Sequence, residues 1–304
     1  MNEIIQHLGW FGCTIIATCI YGVLNFMYKV ATMHNCSSHK ILNTSAATVS
    51  ILSLITIIIS GSEFNNSWNI FFFAIINSAF FALGSIVKMK SLERIPTSIA
   101  FPVTKLDSVF LIIYSLFIFG DNPSFFQWIG IAISFSMMAF ISYNINDKDN
   151  SIKNDDSQNS KIQTIGLLLA VLAAFSTSIS MLTGAFASKN VDKINYMFVS
   201  YTLVMVYTFL INRVFYAKKS KAISQEIKNK TYLFGIIIGI LNFTGYFLVL
   251  NAFEVGPLSL IQGISSNAFI IPIILSLFFF NENLNYKKVI VIVMAIISIL
   301  MIKL

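Results

Sequence analysis

Charged residues are scarce in this chain. Only 11% of its 304 residues are Asp, Glu, Lys or Arg, whereas 56% are hydrophobic, and the mean hydropathy is +0.78. This composition excludes a soluble domain with a polar exterior, because such domains carry about 25% charged residues. The solvent for most of the surface must therefore be lipid.

Cysteine and the common catalytic motifs are scarce as well. Cys13, Cys19 and Cys36 are too few for a disulfide framework, and no metal-ligand spacing surrounds them. The chain has no Gly-rich phosphate loop, no Asp-rich pair within apolar segments and no His-Glu zinc motif. These absences argue against a membrane enzyme, and the sequence predicts neither a metal nor a cofactor.

Long apolar runs dominate what is present. Crossing the hydrocarbon core takes about 20 apolar residues, and the spanning backbone must be helical because no water is there to satisfy its polar groups. The sequence therefore predicts an all-α integral membrane protein with ten transmembrane helices. The ten runs cover residues 8–31, 41–60, 68–88, 97–119, 124–146, 162–187, 194–216, 231–253, 257–280 and 285–303.

An internal repeat links the two halves of the chain. Residues 84–129 align without a gap on residues 245–290, and the identities include Gly84 with Gly245, Glu93 with Glu254, and Pro96 with Pro257. Matches of Gly, Glu and Pro are uncommon by chance in so apolar a chain, which indicates a duplication. We expect both glutamates at helix starts, where the helix dipole favours carboxylates.

A polar linker divides the duplicated units. Residues 1–146 form the first predicted five-helix repeat, residues 147–161 the linker and residues 162–304 the second repeat. Because five is odd, the second unit enters the membrane from the opposite side. The prediction is two inverted repeats, a design that offers two near-equal packings around one central site and so allows alternating access.

Basic residues are unevenly distributed between the predicted connections. Most Lys and Arg lie on one side, and only Lys189, Lys193 and Lys303 lie on the other. The positive-inside rule then places both termini outside a cell membrane that the chain crosses many times. Anionic lipid headgroups are a sufficient partner for the net charge of +7, and no nucleic-acid partner is predicted.

Several motifs resemble the EamA-type domain of the drug/metabolite transporter superfamily. They are a Pro-Thr-Ser or Pro-Leu-Ser helix start at 96–98 and 257–259, an acidic residue after the following apolar helix at Asp121 and Glu282, and an aromatic-Gly pair at 21–22. The resemblance implies a ten-helix secondary transporter, often an exporter. Members usually keep both termini in the cytoplasm, opposite to the basic-residue distribution, so import and export both stay open.

Two charges in the fourth run have no charged counterpart in the second copy. Lys105 and Asp107 align with Ser266 and Ala268. An ionised side chain that faces lipid near the bilayer centre costs roughly 2.5–3.5 kcal/mol. The side chains of Lys105 and Asp107 must therefore face protein or water. We expect Lys105 to bind an acidic group of a substrate and Asp107 to be the proton-coupling candidate; the alternative is a structural role for both.

Polar stripes on several predicted helices indicate a wider cavity. The expected lining helices are the first, third, fourth, sixth, eighth and ninth, although small hydroxyl residues often serve helix packing instead. The predicted substrate-binding residues are Asn25, Lys29, Lys105, Ser108, Asn242, Tyr246, Gln262 and Ser266.

The sequence thus favours a secondary-active transporter for a small polar metabolite, amino acid or drug-like solute, working by alternating access with a proton as the candidate coupling ion. A passive channel or a flippase for lipid-linked cargo stays open as an alternative. A membrane-embedded enzyme or receptor is less favoured. The expected partners are the small-molecule substrate and the lipid bilayer, with a monomer or homodimer as the expected assembly.

Overall fold

The computed structural model describes residues 2–34, 36–92, 94–95, 103–145, 157–211, 213, 225–279 and 286–304. These residues form helices and no strand, which confirms the all-α prediction for this part of the chain. Helices α4 and α9 are composite, and α1 is kinked at Gly9, whose φ is 58°. In chain order the helices are α1 Asn2–Met33, α2 Ser38–Ser60, α3 Ser67–Leu92, α4 Leu106–Tyr114 with a π-helical turn at Ser115–Phe119, α5 Phe125–Ile145, α6 Ser157–Asn190, α7 Lys193–Ile211, α8 Gln225–Val255, α9 Leu258–Ser265 with a 3₁₀ turn at Ser266–Phe269 and then Ile270–Phe279, and α10 Tyr286–Lys303.

Length and apolar composition make this a multi-pass membrane protein. Within the described residues, seven helices are long and apolar enough to cross a membrane, and they lie in α1, α2, α3, α6, α7, α8 and α9. The apolar stretches of α4, α5 and α10 are shorter. Large apolar side chains cover the outside, as shown by Ile59 at 81% exposure and Leu168 at 64%. Ten spans therefore stays a prediction.

The main helix contacts between the two halves recur when each helix is exchanged with the one five places later. The contact of α1 with α8 corresponds to that of α6 with α3, and the contact of α1 with α9 corresponds to that of α6 with α4. The pairs α2–α7, α4–α9 and α5–α10 map onto themselves. The core therefore lies between two equivalent sets of five helices rather than inside either set.

Irregular turns occur at equivalent positions of the two repeats, before α4 in the first and inside α9 in the second. A turn at Lys105 precedes α4, and the 3₁₀ turn of α9 begins at Ser266, which is the repeat counterpart of Lys105. The sequence predicted one continuous helix over 97–119 with Asp107 near its middle. The structure instead places Asp107 in the first turn of α4, while residues 96–102 lie outside the described part.

One carboxylate joins the two sets of helices at the start of α9. Asp121 follows α4, and its Oδ2 accepts hydrogen bonds from the backbone N–H and the hydroxyl of Ser259, both at 2.8 Å. Negative charge is stabilised at a helix N-terminus, where backbone N–H groups have no partner within the helix. Asp121 and Ser259 belong to the two motifs that carry the family resemblance, so these motifs meet across the two sets.

The expected capping role of Glu254 is wrong. Glu254 lies in the last turn of α8, not at a helix start, and it forms an ion pair with Lys193 at the beginning of α7. The reason is that α8 continues as far as Val255, and the turn at Gly256 and Pro257 separates this glutamate from α9. Glu93, its repeat counterpart, lies outside the described residues.

Candidate functional site

Polar side chains meet at Tyr246, in the region where helices of both sets are packed together. The amide nitrogen of Asn77 donates to the backbone oxygen of Ser180 at 2.8 Å, to its hydroxyl at 2.9 Å and to the Tyr246 hydroxyl at 3.4 Å. The hydroxyls of Tyr196 and Tyr246 are also 3.4 Å apart. Buried polar groups need such partners because leaving one unsatisfied costs about 1–3 kcal/mol.

Aromatic packing and a second amide extend this group. The rings of Tyr201 and Tyr246 meet edge to face with centroids 5.9 Å apart, and the Phe81 ring centroid lies 6.0 Å from that of Tyr201. The Asn242 amide interacts with the Tyr201 phenol. We call the set Asn77, Ser180, Tyr196, Tyr201, Asn242 and Tyr246 the tyrosine cluster, which joins α3 of the first set to α6, α7 and α8 of the second.

Two of the predicted substrate-binding residues belong to this cluster, whereas Asn77, Tyr196 and Tyr201 were not predicted. Asn242 and Tyr246 were predicted, but α7 was not among the expected lining helices, so Tyr196 and Tyr201 were missed. Asn77 could have been found, because an amide in the middle of a strongly apolar run is costly to bury without a partner. The tyrosines carried no such signal among many other aromatic residues.

The charged residues form a second group around the start of α4. Asp107 Oδ1 accepts a hydrogen bond from the backbone N–H of Ser108 at 2.7 Å and from its hydroxyl at 3.3 Å. The charges of Lys105 and Asp107 both act on the ammonium of Lys88 near the end of α3. We call Lys88, Lys105 and Asp107 the charged group. Lys88 was missed by sequence reasoning because it stands at the edge of its apolar run.

The other predicted residues do not join either group by a hydrogen bond between described residues. Ser266 is fully buried, and its hydroxyl donates to the Gly263 oxygen in its own helix at 2.7 Å. Gln262 is 6% exposed in α9, and Asn25 is half-buried in α1. The side chain of Lys29 lies outside the described part of the structure.

The predicted residues are therefore distributed along the bundle rather than gathered at one point. Asn77 of the tyrosine cluster and Lys88 of the charged group are both in α3, and eleven helical residues span about 16 Å. The two groups lie at different depths for that reason. That either group contacts a solute stays a prediction.

A cavity lies elsewhere, at the end of the bundle where α2, α6 and α8 end. It has a volume of about 450 Å³ and is lined mainly by polar residues, none of which was among the predicted site residues. A smaller apolar cavity of about 290 Å³ lies between α3 and α6, between Phe72 and Phe186. Among the residues that the structure describes, no group of three or more His, Cys, Asp or Glu could hold a metal ion.

The fold and its lipid-facing surface define a multi-pass helical membrane protein built from two equivalent halves. The chain belongs to the EamA-like transporter family, whose model matches residues 8–143 and again 164–304. It is similar to an uncharacterised transporter of Archaeoglobus fulgidus, with 27% identity over 221 residues that cover 73% of this chain and 71% of the relative. The protein is therefore a transporter, as the motifs indicated.

A solved structure supports the fold. It is titled only as the crystal structure of a protein, superposes with a TM-score of 0.75 and covers 96% of this chain and 98% of its own, at 13% sequence identity. At that identity the likeness concerns the fold alone. The fold is thus shared with an independently determined structure.

The Tyr246 hydroxyl should contribute measurably to stability. In Tyr246→Phe the hydroxyl that contacts Asn77 and Tyr196 is lost while the ring remains, so we expect a loss of about 1 kcal/mol in the free energy of unfolding. The measurement is thermal unfolding of the purified protein in detergent. Tyr232→Phe is the matched control, because Tyr232 is on the same helix and 50% exposed. Equal melting temperatures for the two variants would contradict the bonding role.

Proposed function

We propose that the protein is a secondary-active transporter with ten transmembrane helices in two inverted five-helix repeats in the cell membrane. It moves a small polar metabolite, amino acid or drug-like solute by alternating access. The observation that carries this proposal is the approximate exchange symmetry of the packing, in which the main contacts between the two sets of helices have counterparts or map onto themselves. Two near-equivalent halves can rock between two packings of similar free energy, open to one side or the other.

The charged group and the irregular turns support a substrate site at the start of α4. Transporters of inverted repeats commonly bind solutes and ions where membrane helices are interrupted, since free backbone groups become available there. Lys105 is at such a turn, and its counterpart Ser266 begins the 3₁₀ turn of α9. In this proposal Lys105 binds an acidic group of the solute, and Asp107 exchanges the coupling proton.

The tyrosine cluster supports a carrier rather than an open channel. Tyr196 is fully buried and Tyr246 is 4% exposed, and the Tyr246 hydroxyl is bonded to Asn77 of the first set and to Tyr196 of the second. A closed, hydrogen-bonded centre must rearrange before a solute passes. In the proposed cycle these bonds break and re-form as the halves rock, and Asn242 and Tyr246 line the path.

The experiment that tests the proposal is reconstitution of the purified protein into vesicles with a panel of metabolites, with and without an imposed proton gradient. A carrier coupled to protons should accumulate at least one solute of the panel against its own gradient only when the proton gradient is present. Flux that ignores the proton gradient would favour the passive channel. Movement of a lipid-linked probe alone would favour the flippase.

The proton-coupling role of Asp107 makes a sharper prediction. In Asp107→Asn the side chain keeps an oxygen that can accept from Ser108 but no longer titrates, so the pH dependence of solute flux should disappear. The measurement is flux as a function of external pH in the same vesicles. Glu226→Gln is the control, because Glu226 is exposed near the start of α8. An unchanged pH profile in Asp107→Asn would remove the coupling claim.

The proposed role of Lys105 predicts a change in selectivity. Lys105→Ala removes the ammonium that binds an acidic group, and a hydrogen bond to a charged group contributes about 1.5–3 kcal/mol. We therefore expect the KM for anionic solutes to rise roughly tenfold or more, with a smaller change for neutral ones. The comparison uses uptake kinetics, with Lys230→Ala on the surface of α8 as the control. Equal losses for anionic and neutral solutes would instead indicate a structural lysine.

A further inference from the structure

The cavity at the ends of α2, α6 and α8 differs from the rest of the protein in its chemistry. Of the ten residues that line its volume of about 450 Å³, nine are polar and only Val191 is apolar, in a chain that is 56% hydrophobic. Its wall combines the α2–α3 connection, the end of α6 with the α6–α7 connection, and the last turn of α8. We call it the polar cavity. A volume of this size is typical of small-molecule sites.

The charge of the polar cavity is negative. Three carboxylates, those of Glu63, Asp192 and Glu254, line it against the single ammonium of Lys189. Lys193 pairs with Glu254, and the Lys189 ammonium lies 4.5 Å from the ring centroid of Phe119.

Glu63 and Asp192 have no ion-pair partner among the described residues. These two carboxylates therefore provide unneutralised negative charge that attracts a cation and repels an anion.

One buried amide supports both of these residues. Asn195 at the start of α7 is fully buried; its backbone N–H donates to Asp192 Oδ1 at 2.8 Å, and its side-chain nitrogen donates to the Glu63 backbone oxygen at 2.9 Å. Its side-chain oxygen has no hydrogen-bond partner among the described residues. Asn195 is not itself among the residues that line the cavity, and its two bonds connect the α6–α7 and α2–α3 connections to the start of α7.

We propose that the polar cavity is a binding site for the primary ammonium group of a small organic solute, with Glu63 and Asp192 as its counter-charges. A primary ammonium carries three donors, which match carboxylate and carbonyl acceptors such as those of Glu63, Asp192 and the wall amides. Among the described residues no acidic group has the arrangement that holds a metal ion, so an organic cation fits this cavity better than a divalent metal. The site goes beyond the transport mechanism proposed above and does not depend on it.

Ligand-observed ¹⁹F NMR on the purified full-length protein tests this site separately from transport. The probe is 2-fluoroethylammonium, and fluoroacetate is the anion of similar size. Broadening of the ammonium resonance, but not of the fluoroacetate resonance, is expected with the native protein. In Glu63→Gln/Asp192→Asn the affinity for the ammonium probe should fall roughly two- to fivefold or more, because each partly exposed ion pair contributes up to about 1 kcal/mol.

Two further variants keep the result interpretable. Glu63→Gln alone leaves the hydrogen bonds of the described wall intact, because only the backbone oxygen of Glu63 is used, so it should weaken the probe without unfolding the protein. Glu226→Gln, near the opposite end of α8, should leave the probe affinity unchanged. Native-like broadening in Glu63→Gln/Asp192→Asn, equal binding of fluoroacetate, or displacement of the probe by Ca²⁺ at low concentration would each overturn the proposal.

Discussion

The absence of water in the hydrocarbon core is the constraint on which this structure depends. Every backbone group in a spanning segment must be bonded within the protein, which leaves only helices for a bundle of this kind. The same constraint acts on polar side chains, which must find partners in their own helix or on another helix. In this protein many of these partners lie across the two sets of helices, as Asn77 with Ser180 and Ser50 with Thr202 demonstrate. The polar bonds thus join the halves.

Close helix packing provides the remaining attraction, because lipid chains are as apolar as the side chains that they surround. Gly22 allows α1 to approach α9 so closely that an added Cβ would lie 2.9 Å from the backbone oxygen of Ala268. Gly84 has the same kind of contact, where an added Cβ would lie 2.9 Å from Thr177 in α6. These glycines lie at α1–α9 and α3–α6 contacts, both of which cross between the halves.

The chemistry of the protein departs from this symmetry. Lys88, Lys105 and Asp107 have Val249, Ser266 and Ala268 as their repeat counterparts, so the charged group exists in one half alone. The polar cavity is likewise lined by unequal parts of the two halves. Duplication supplies a frame with two similar packings, and the specific residues that differ between the copies supply the means to recognise a solute.

The sequence by itself determined the helical class, the duplication, the positions of most helices and the presence of costly charges at Lys105 and Asp107. Lipid exposure and the need for internal backbone bonding act on each segment separately, so they can be read from one segment at a time. Only the tertiary structure decided that Tyr246 meets Tyr196, that Lys88 joins the charged group and that Glu254 ends α8 beside Lys193. Periodicity defines which face of a helix is polar, but the partner of that face depends on how all the helices pack together.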